Sequence, residues 1–560
     1  MARLFDHPAA LLPVLVLYLA LSLYQIELPG LHYDEAFEAV PALQLLQNRP
    51  VTAFRNSGLT ISGRFYPLMT QDYIGALNTY ITLPVIYLLG PRPIALRLPS
   101  ILIGGLTLSL TYGLTTGLTG RRVVGLAAAM LLAVDPTFIF WNRQGIFVTA
   151  ITAPFGLMLA YCGLRRGQTG HIRWSLAGAF CLGLGLYAKL LFGWLIAALA
   201  GALILLNLGW LFKNRNSLAG FIRQYGSKKE IGGAIAAVII GCWPLLLYNL
   251  QTGGTFRSLS ENAGTSYYGV DNSALGYNLV TRLDQFVALL NSSHLWYLGQ
   301  IYANPLPGIL FGLLLGWVLW LVWRGTSGQP TKMALFPWLV IGLAILASIQ
   351  TVSALWVTHF AVLMPWPAIA MAVGGWFVWG QITVERWKTL GLGLGLGLLL
   401  LSNLTTTLRY HRALTESGGL STHSDAIYDL TTWLADHTTP TGPPVVAMDW
   451  GLAAPIFYLT NGQVAPIEVF GYAWQPDLDL TDRLARFIPE ANTFYLWRAP
   501  DEVIFDRSDE FKALYRPLAL EETIEAAFYE RSGRPILGIT RLVKCGTQGI
   551  ESPEPAVHCP

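Results

Sequence analysis

The sequence predicts a polytopic α-helical membrane protein that carries a small α/β domain at its C-terminal end. Three observations lead there. Of the 560 residues, 53% are hydrophobic and 12% charged, against about 25% charged in a soluble domain. Apolar runs long enough to cross a bilayer recur as far as residue 407, and from about Tyr410 the composition becomes that of a soluble domain. The 19 tryptophans and 24 tyrosines suit a protein with two interfacial belts. A net charge of +3, without a basic run, gives no ground for a nucleic-acid partner.

The first apolar run, from about Ala9 to Leu28, has no charge before Glu27. At about 1.5 Å per residue it crosses a hydrocarbon core of about 30 Å. Arg3 gives it a weak positive flank and no small-residue cleavage site precedes Leu28, so it reads as a retained signal anchor. Residues 29–92 are a mixed first loop. Within it, 35–47 and 72–89 have helical spacing, interrupted by Pro41 and Pro84, and read as interfacial helices lying on the membrane. Further apolar runs at about 94–118, 123–139, 146–164, 174–188, 190–212, 231–248, 305–323, 334–355, 360–382 and 390–407 bring the expected number of spans to about eleven.

Charge bias orients them. With 72–89 at the surface, Arg121/Arg122, Arg165/Arg166/Arg173, Lys213/Arg215/Arg223/Lys228/Lys229, Arg324/Lys332 and Arg386/Lys388 share a side with Arg3, which the positive-inside rule makes cytoplasmic. The other side then holds the first loop, a long loop over 249–304, a turn around His359 and everything after Leu408. The run LGLGLGLGLLLL at 390–401 offers small residues for close helix packing and no chemistry.

Beyond Tyr410, 421–437 reads as a helix, VVAMDW (445–450), APIEVF (465–470) and NTFYLW (492–497) as strands, and 452–459 and 477–487 as intervening helices. Segments 524–529 and 535–543 read as a hairpin across Ser532-Gly533. This alternation predicts an α/β domain over 411–560, set outside the cytoplasm by an odd number of spans, behind a membrane domain over 1–410. Cys162, Cys181 and Cys242 sit in apolar runs as small buried side chains, while Cys545 and Cys559 in the tail could pair in an oxidising compartment.

The stretch His32-Tyr33-Asp34-Glu35-Ala36-Phe37-Glu38 sets carboxylates at the mouth of the first span. The same side gathers Arg64, Arg97, Arg143, Lys189 and His359. A lone cation at a span end is ordinarily a snorkelling anchor. Lys189, however, has apolar sequence on both sides and calls for an anionic partner. Cations facing an Asp-Glu pair fit a lipid phosphate, and the chemistry that uses both is glycosyl transfer from a polyprenyl-phosphate sugar. There the cations (Lys189, Arg64, Arg143, Arg97) stabilise the departing phosphate, and a carboxylate takes the acceptor proton, with inversion. Tyr33, Tyr66, Tyr73 and His359 are the candidate sugar or acceptor contacts. Asp34 and Glu35 could bind a divalent ion, but no further ligand cluster accompanies them, so no cofactor is expected.

The order of a first span and Asp34-Glu35, then ALRLPS (95–100), P-x-F-x-x-x-x-R (Pro136 to Arg143) and AKLLFG (188–193), resembles the GT-C glycosyltransferases. Within them the chain is similar to the protein O-mannosyltransferase group (glycosyltransferase family 39) and the lipid A aminoarabinose transferases. HFAVLMPWPAIA (359–370) is similar to the aromatic-rich segment that opens a late span in that family. The resemblance implies a GT-C fold over about 1–410, Asp34 as catalytic carboxylate with Glu35 orienting a substrate, and Arg64 and Lys189 near the phosphate. Arg143 matches an arginine common after that span. Many relatives carry a second Asp just beyond it, where this chain has Ile146-Phe147-Val148-Thr149-Ala150-Ile151-Thr152. Asp271 and Asp284 are the alternative carboxylates, against the plainer reading of solvated loop charges. The function expected is an inverting transferase acting on an acceptor hydroxyl (of a protein, lipid or polysaccharide) outside the cytoplasm. The competing class is a transporter or flippase of a lipid-linked or amphiphilic solute, which predicts inverted repeats and discontinuous helices at mid-membrane, neither of which the sequence displays.

Overall fold

The computed structural model describes residues 8–144, 148–213, 227–382, 385–439, 441–469, 479–488 and 492–544. Helix α1 (Leu11–Leu23) leads into the first loop, where the expected helix over 35–47 is two short ones, α2 (Tyr33–Phe37) and α3 (Val40–Leu46). Two hairpins follow: β1 (Gly58–Ile61) with β2 (Arg64–Pro67), and β3 (Met69–Gln71) with β4 (Ile74–Gly75). Ser62 and Gly63 both have positive φ, which a two-residue turn between right-twisted strands requires. The expected helix over 72–89 therefore begins only at α4 (Leu77–Leu89). At 13 residues, about 20 Å, α4 falls short of a bilayer core.

The helical body continues through α5 (Pro93–Thr119), α6 (Arg122–Ala133), α7 (Pro136–Gln144), α8 (Thr152–Thr169), α9 (Ile172–Ala188), α10 (Phe192–Lys213) and α11 (Lys228–Thr252). It ends with α12 (Gly254–Glu261), α13 (Leu275–Asn291), α14 (Pro305–Trp323), α15 (Gln329–Ala347), α16 (Pro365–Gln381) and α17 (Glu385–Ser417). Among the described residues four helices are long and apolar enough to cross a bilayer: α5, α11, α14 and α15. The number is six when α6 with α7, bent by 64°, and Val357–Leu363 with α16, bent by 51°, each count as one span. The chain is thus a multi-pass membrane protein. The expectation of about eleven counted apolar runs, several of which are broken here into shorter helices. Asp135-Pro136 makes one such break: the proline cannot continue α6, and the Asp135 carboxylate accepts from the Phe138 N–H at 2.9 Å to start α7.

Tyr18, Phe138, Phe140, Trp141, Tyr410 and Trp366 fill the centre of the helical body. Cys162 and Cys242 are buried free thiols and Cys181 is half-buried; Cys545 and Cys559 lie outside the described residues. Helix α17 runs on past Tyr410 to Ser417 and delivers the chain to the C-terminal domain. There β5 (Val445–Ala447), β6 (Ile467–Glu468), β7 (Phe494–Arg498), β8 (Leu520–Tyr529) and β9 (Pro535–Lys544) form one sheet in the order β6-β5-β7-β9-β8. β5 runs parallel to β6 and β7, and β9 antiparallel to β7 and β8. Alternation buries both faces. Val445 and Ala447 pack on Leu430 and Leu434 of α18 (Ala426–His437) and Ile456 of α19 (Ala453–Leu459), whereas Val446 and Met448 pack on Leu484 of α20 (Leu480–Ala485) and Phe511 of α21 (Ser508–Tyr515).

Candidate active site

Helix α2 begins with a reciprocal cap. The Asp34 N–H donates to His32 Nδ1 at 3.2 Å, and the His32 N–H donates to Glu35 Oε1 at 3.4 Å. Successive helical residues point about 100° apart, so the adjacent carboxylates part company. The Asp34 side chain is 52% exposed. Glu35 is fully buried and receives Arg97 through Nε at 2.8 Å and Nη2 at 3.0 Å. Arg97 also donates to the carbonyls of Ile26 at 2.7 Å and Pro29 at 2.9 Å, which ties the end of the first span to α2 and α5. Glu38, one turn beyond Asp34, is buried too, with Oε1 accepting from Thr70 at 2.9 Å. Burial pushes its carboxyl up to about 8, while the Thr70 hydroxyl and the Lys189 ammonium pull the other way.

Lys189 stands where α9 ends. Its backbone is extended and bridges Ile74 in antiparallel fashion, and the Leu190 N–H donates to the Tyr73 carbonyl at 2.9 Å. Gly75 permits this approach, because a Cβ there would collide with the Tyr187 carbonyl and ring. The first loop and the α9–α10 junction are so joined, and Lys189 opens onto a cavity of about 350 Å³. Tyr73, Trp194, Asn262, Ser353 and His359 are among the side chains around it. Asp34 is near enough for its charge to act on Lys189, Tyr73 and Tyr268, and Glu38 acts on Lys189 as well. An ammonium, two carboxyls of unlike exposure and an aromatic-lined cavity thus share one region. Among the described residues no three metal-ligating side chains converge.

The other anticipated residues are dispersed. Arg64 is exposed at the start of β2, with Tyr66 half-buried two residues on, and neither lines the cavity. Arg143 is fully buried in α7, donating to the carbonyls of Tyr24 at 2.6 Å and Gln25 at 2.5 Å and meeting His411 Nδ1 at 3.2 Å. Arg97 and Arg143 thus direct donors at protein acceptors, whereas Lys189 borders the cavity. His359 lines it, with Nε2 3.4 Å from Ser353 Oγ. Asp271 caps its own turn through Ser273, Asp284 is exposed on α13, and neither borders the cavity.

Sequence reasoning missed Trp194 and the ring contacts that the C-terminal domain makes with His32 and Tyr33. The His32 ring stacks on His423 at 4.3 Å, His423 on Tyr297 at 4.3 Å, and Trp450 lies 4.6 Å from Tyr33. These partners stand more than a hundred residues apart in the chain, and no local pattern marks them.

A multi-pass helical body, a first loop that carries Asp34, Glu35 and Glu38, and a lysine-bordered cavity characterise the protein. The family model described as dolichyl-phosphate-mannose-protein mannosyltransferase matches residues 77–222. The crystal structure of ArnT from Cupriavidus metallidurans bound to undecaprenyl phosphate aligns with 95% of this chain and 98% of its own, at TM-score 0.59 and 14% identity. The apo ArnT structure gives the same coverage at TM-score 0.57 and 12% identity. No curated protein matches the sequence significantly. The chain thus shares the fold of ArnT over nearly its whole length, and residues 77–222 are similar to the dolichyl-phosphate-mannose-protein mannosyltransferase family model.

Proposed function

We propose that this protein is an inverting glycosyltransferase that moves a sugar from a polyprenyl-phosphate donor to an acceptor hydroxyl on the extracytoplasmic face of the membrane. The observation that carries the reading is Lys189 at the rim of the cavity within the electrostatic reach of a half-exposed Asp34. The shared fold with a protein crystallised on undecaprenyl phosphate supports the choice of donor. In this scheme Lys189 holds the phosphate. Tyr73 and His359 contact the sugar, and Tyr33 and Tyr66 the acceptor side. Asp34 takes the acceptor proton as the acceptor oxygen bonds to C1; the C1–O bond to phosphate breaks on the opposite face, and polyprenyl phosphate leaves with the electron pair. A phosphate stabilised by a cation departs without a general acid. Glu35, Arg97 and Arg143 serve by fixing the loop that presents Asp34. The positive-inside arrangement puts the N-terminus in the cytoplasm and the C-terminal domain outside, with about eleven crossings of the membrane.

The test is transfer in detergent from a panel of polyprenyl-phosphate hexoses and pentoses. Asp34→Asn should lower turnover by about 10²–10⁴, the usual weight of a positioned base, with folding unchanged. Full turnover in that variant ends the assignment of the base.

A further inference from the structure

The pairing of Asp34 with a second acidic group need not be the one that the Asp-Glu dipeptide advertises. Glu35 points into a buried ion pair with Arg97, fully removed from solvent. Glu38 stands one helical turn from Asp34, and its backbone is still in the right-handed helical region (φ −67°, ψ −21°), so the two side chains share a face of α2. Glu38 is 3% exposed, its Oε1 receives Thr70, and its Oε2 is buried without a hydrogen-bond partner among the described residues. An orphaned carboxyl oxygen in such a place is a group to be explained.

We propose that Glu38 is a positioning residue for donor binding: seated on the Asp34 face of α2 and acting on Lys189, it determines how much of the lysine's charge is left for the donor phosphate. The inference rests on the reading of Lys189 as the phosphate-binding residue. As a neutral carboxylic acid Glu38 leaves the ammonium to the phosphate and adds no negative charge beside Asp34. As a carboxylate it competes with the phosphate for the same cation. Its surroundings fit the neutral form at physiological pH, since burial raises the carboxyl to about 8. The ionisable groups that act on it or feel it are Asp34 on α2, Lys189 at the α9–α10 junction and Tyr187 at the end of α9, and Thr70 of β3 supplies the hydroxyl.

The experiment measures binding of undecaprenyl phosphate to the full-length protein in detergent between pH 6.5 and pH 9.5. The wild type should lose affinity by about tenfold across the alkaline half of that range. Glu38→Gln, which keeps an oxygen for Thr70, should bind within about twofold of wild type at pH 7 and stay flat above it. Thr70→Val, which removes the hydroxyl that favours the carboxylate, should move the alkaline loss to higher pH, and it gives an answer even where Glu38→Gln does not fold. An alkaline loss that persists unchanged in Glu38→Gln, or does not move in Thr70→Val, assigns the titration to Lys189 itself and overturns the proposal. Lys189→Met separates the two readings. Binding that survives in Lys189→Met removes the phosphate site proposed above, whereas binding lost there with a pH profile indifferent to Glu38 removes only the role of Glu38.

Discussion

Asp34 and Glu35 are covalent neighbours with opposite environments, and their substitutions should fail in different ways. Glu35 and Arg97 have side chains wholly out of solvent, joined by two hydrogen bonds. Burial pushes the Glu35 carboxyl upward and the Arg97 guanidinium opposes it. Truncating one partner leaves the other as an uncompensated buried charge, a loss of about 3–5 kcal/mol. Glu35→Ala and Arg97→Leu should therefore lower the unfolding temperature in detergent sharply, while Asp34→Asn, at a half-exposed side chain, should leave it unchanged and affect turnover alone. Equal thermal stability of all three would mean that the ion pair does not hold the loop. The sequence made the Asp-Glu pair conspicuous but not this division, because helical phase alone says only that the two diverge. Which of them faces Arg97 depends on α5 crossing behind α2, more than sixty residues on. Glu38 was less conspicuous still, since its importance comes from Thr70 and Lys189 on other elements.

At the level of elements, what could be read depended on whether a segment's pattern came from its own neighbours. Helix α5 and helices α14 and α15 stood out by length and apolarity, which the membrane dictates directly. The loop over 249–304 did not announce α13, because polar and apolar residues are mixed on both of its faces. Asn278, Arg282, Phe286 and Leu290 face inward, and Tyr277, Val280, Leu283 and Val287 are exposed. Arg282 can face inward because it is satisfied there: it donates to the carbonyls of Ser348 at 3.1 Å and Trp356 at 3.0 Å, and its guanidinium lies over Trp194 and Phe360. An exposed apolar stripe on a helix whose other face is packed on the protein is what a helix resting in the membrane interface presents. Photolabelling from a lipid-borne diazirine should mark Tyr277, Val280 and Val287 in reconstituted vesicles and spare Asn278 and Arg282. Labelling that avoids this helix altogether would place it in water.

For the molecule as a whole, the C-terminal domain belongs to the Asp34 region, because it clasps residues 27–33 from outside. The Gly30 N–H donates to the His423 carbonyl at 2.8 Å and the Tyr428 hydroxyl to the Glu27 carbonyl at 2.7 Å, while His423 stacks on His32 and Trp450 packs on Tyr33. Burial holds both imidazoles below the usual histidine range, with Arg498 adding to it at both and Asp34 opposing it at His32. Histidines kept neutral in the folded state but protonated near pH 6.5 when unfolded make stability fall as pH drops through that value. Thermal unfolding between pH 7.5 and 5 should show this slope, and His423→Phe, which keeps a ring in the stack, should reduce it. Trp450 is fixed from behind: Arg498 donates to its carbonyl at 3.1 Å and pairs with Asp449 at 3.3 Å, and Asp449 accepts from the Phe505 N–H at 2.9 Å. The indole thereby sets the position of Tyr33, the residue before Asp34, from a rigid sheet, whereas Lys189 and the cavity are built by other elements. Trp450→Ala should then cut turnover by about tenfold or more through misplacement of Asp34, with affinity for undecaprenyl phosphate unaltered and Trp450→Phe recovering most of the loss. If Trp450→Ala turns over at the wild-type rate, the domain only covers the site; if donor affinity falls in step with turnover, the clasp supports the whole loop and not Asp34 in particular.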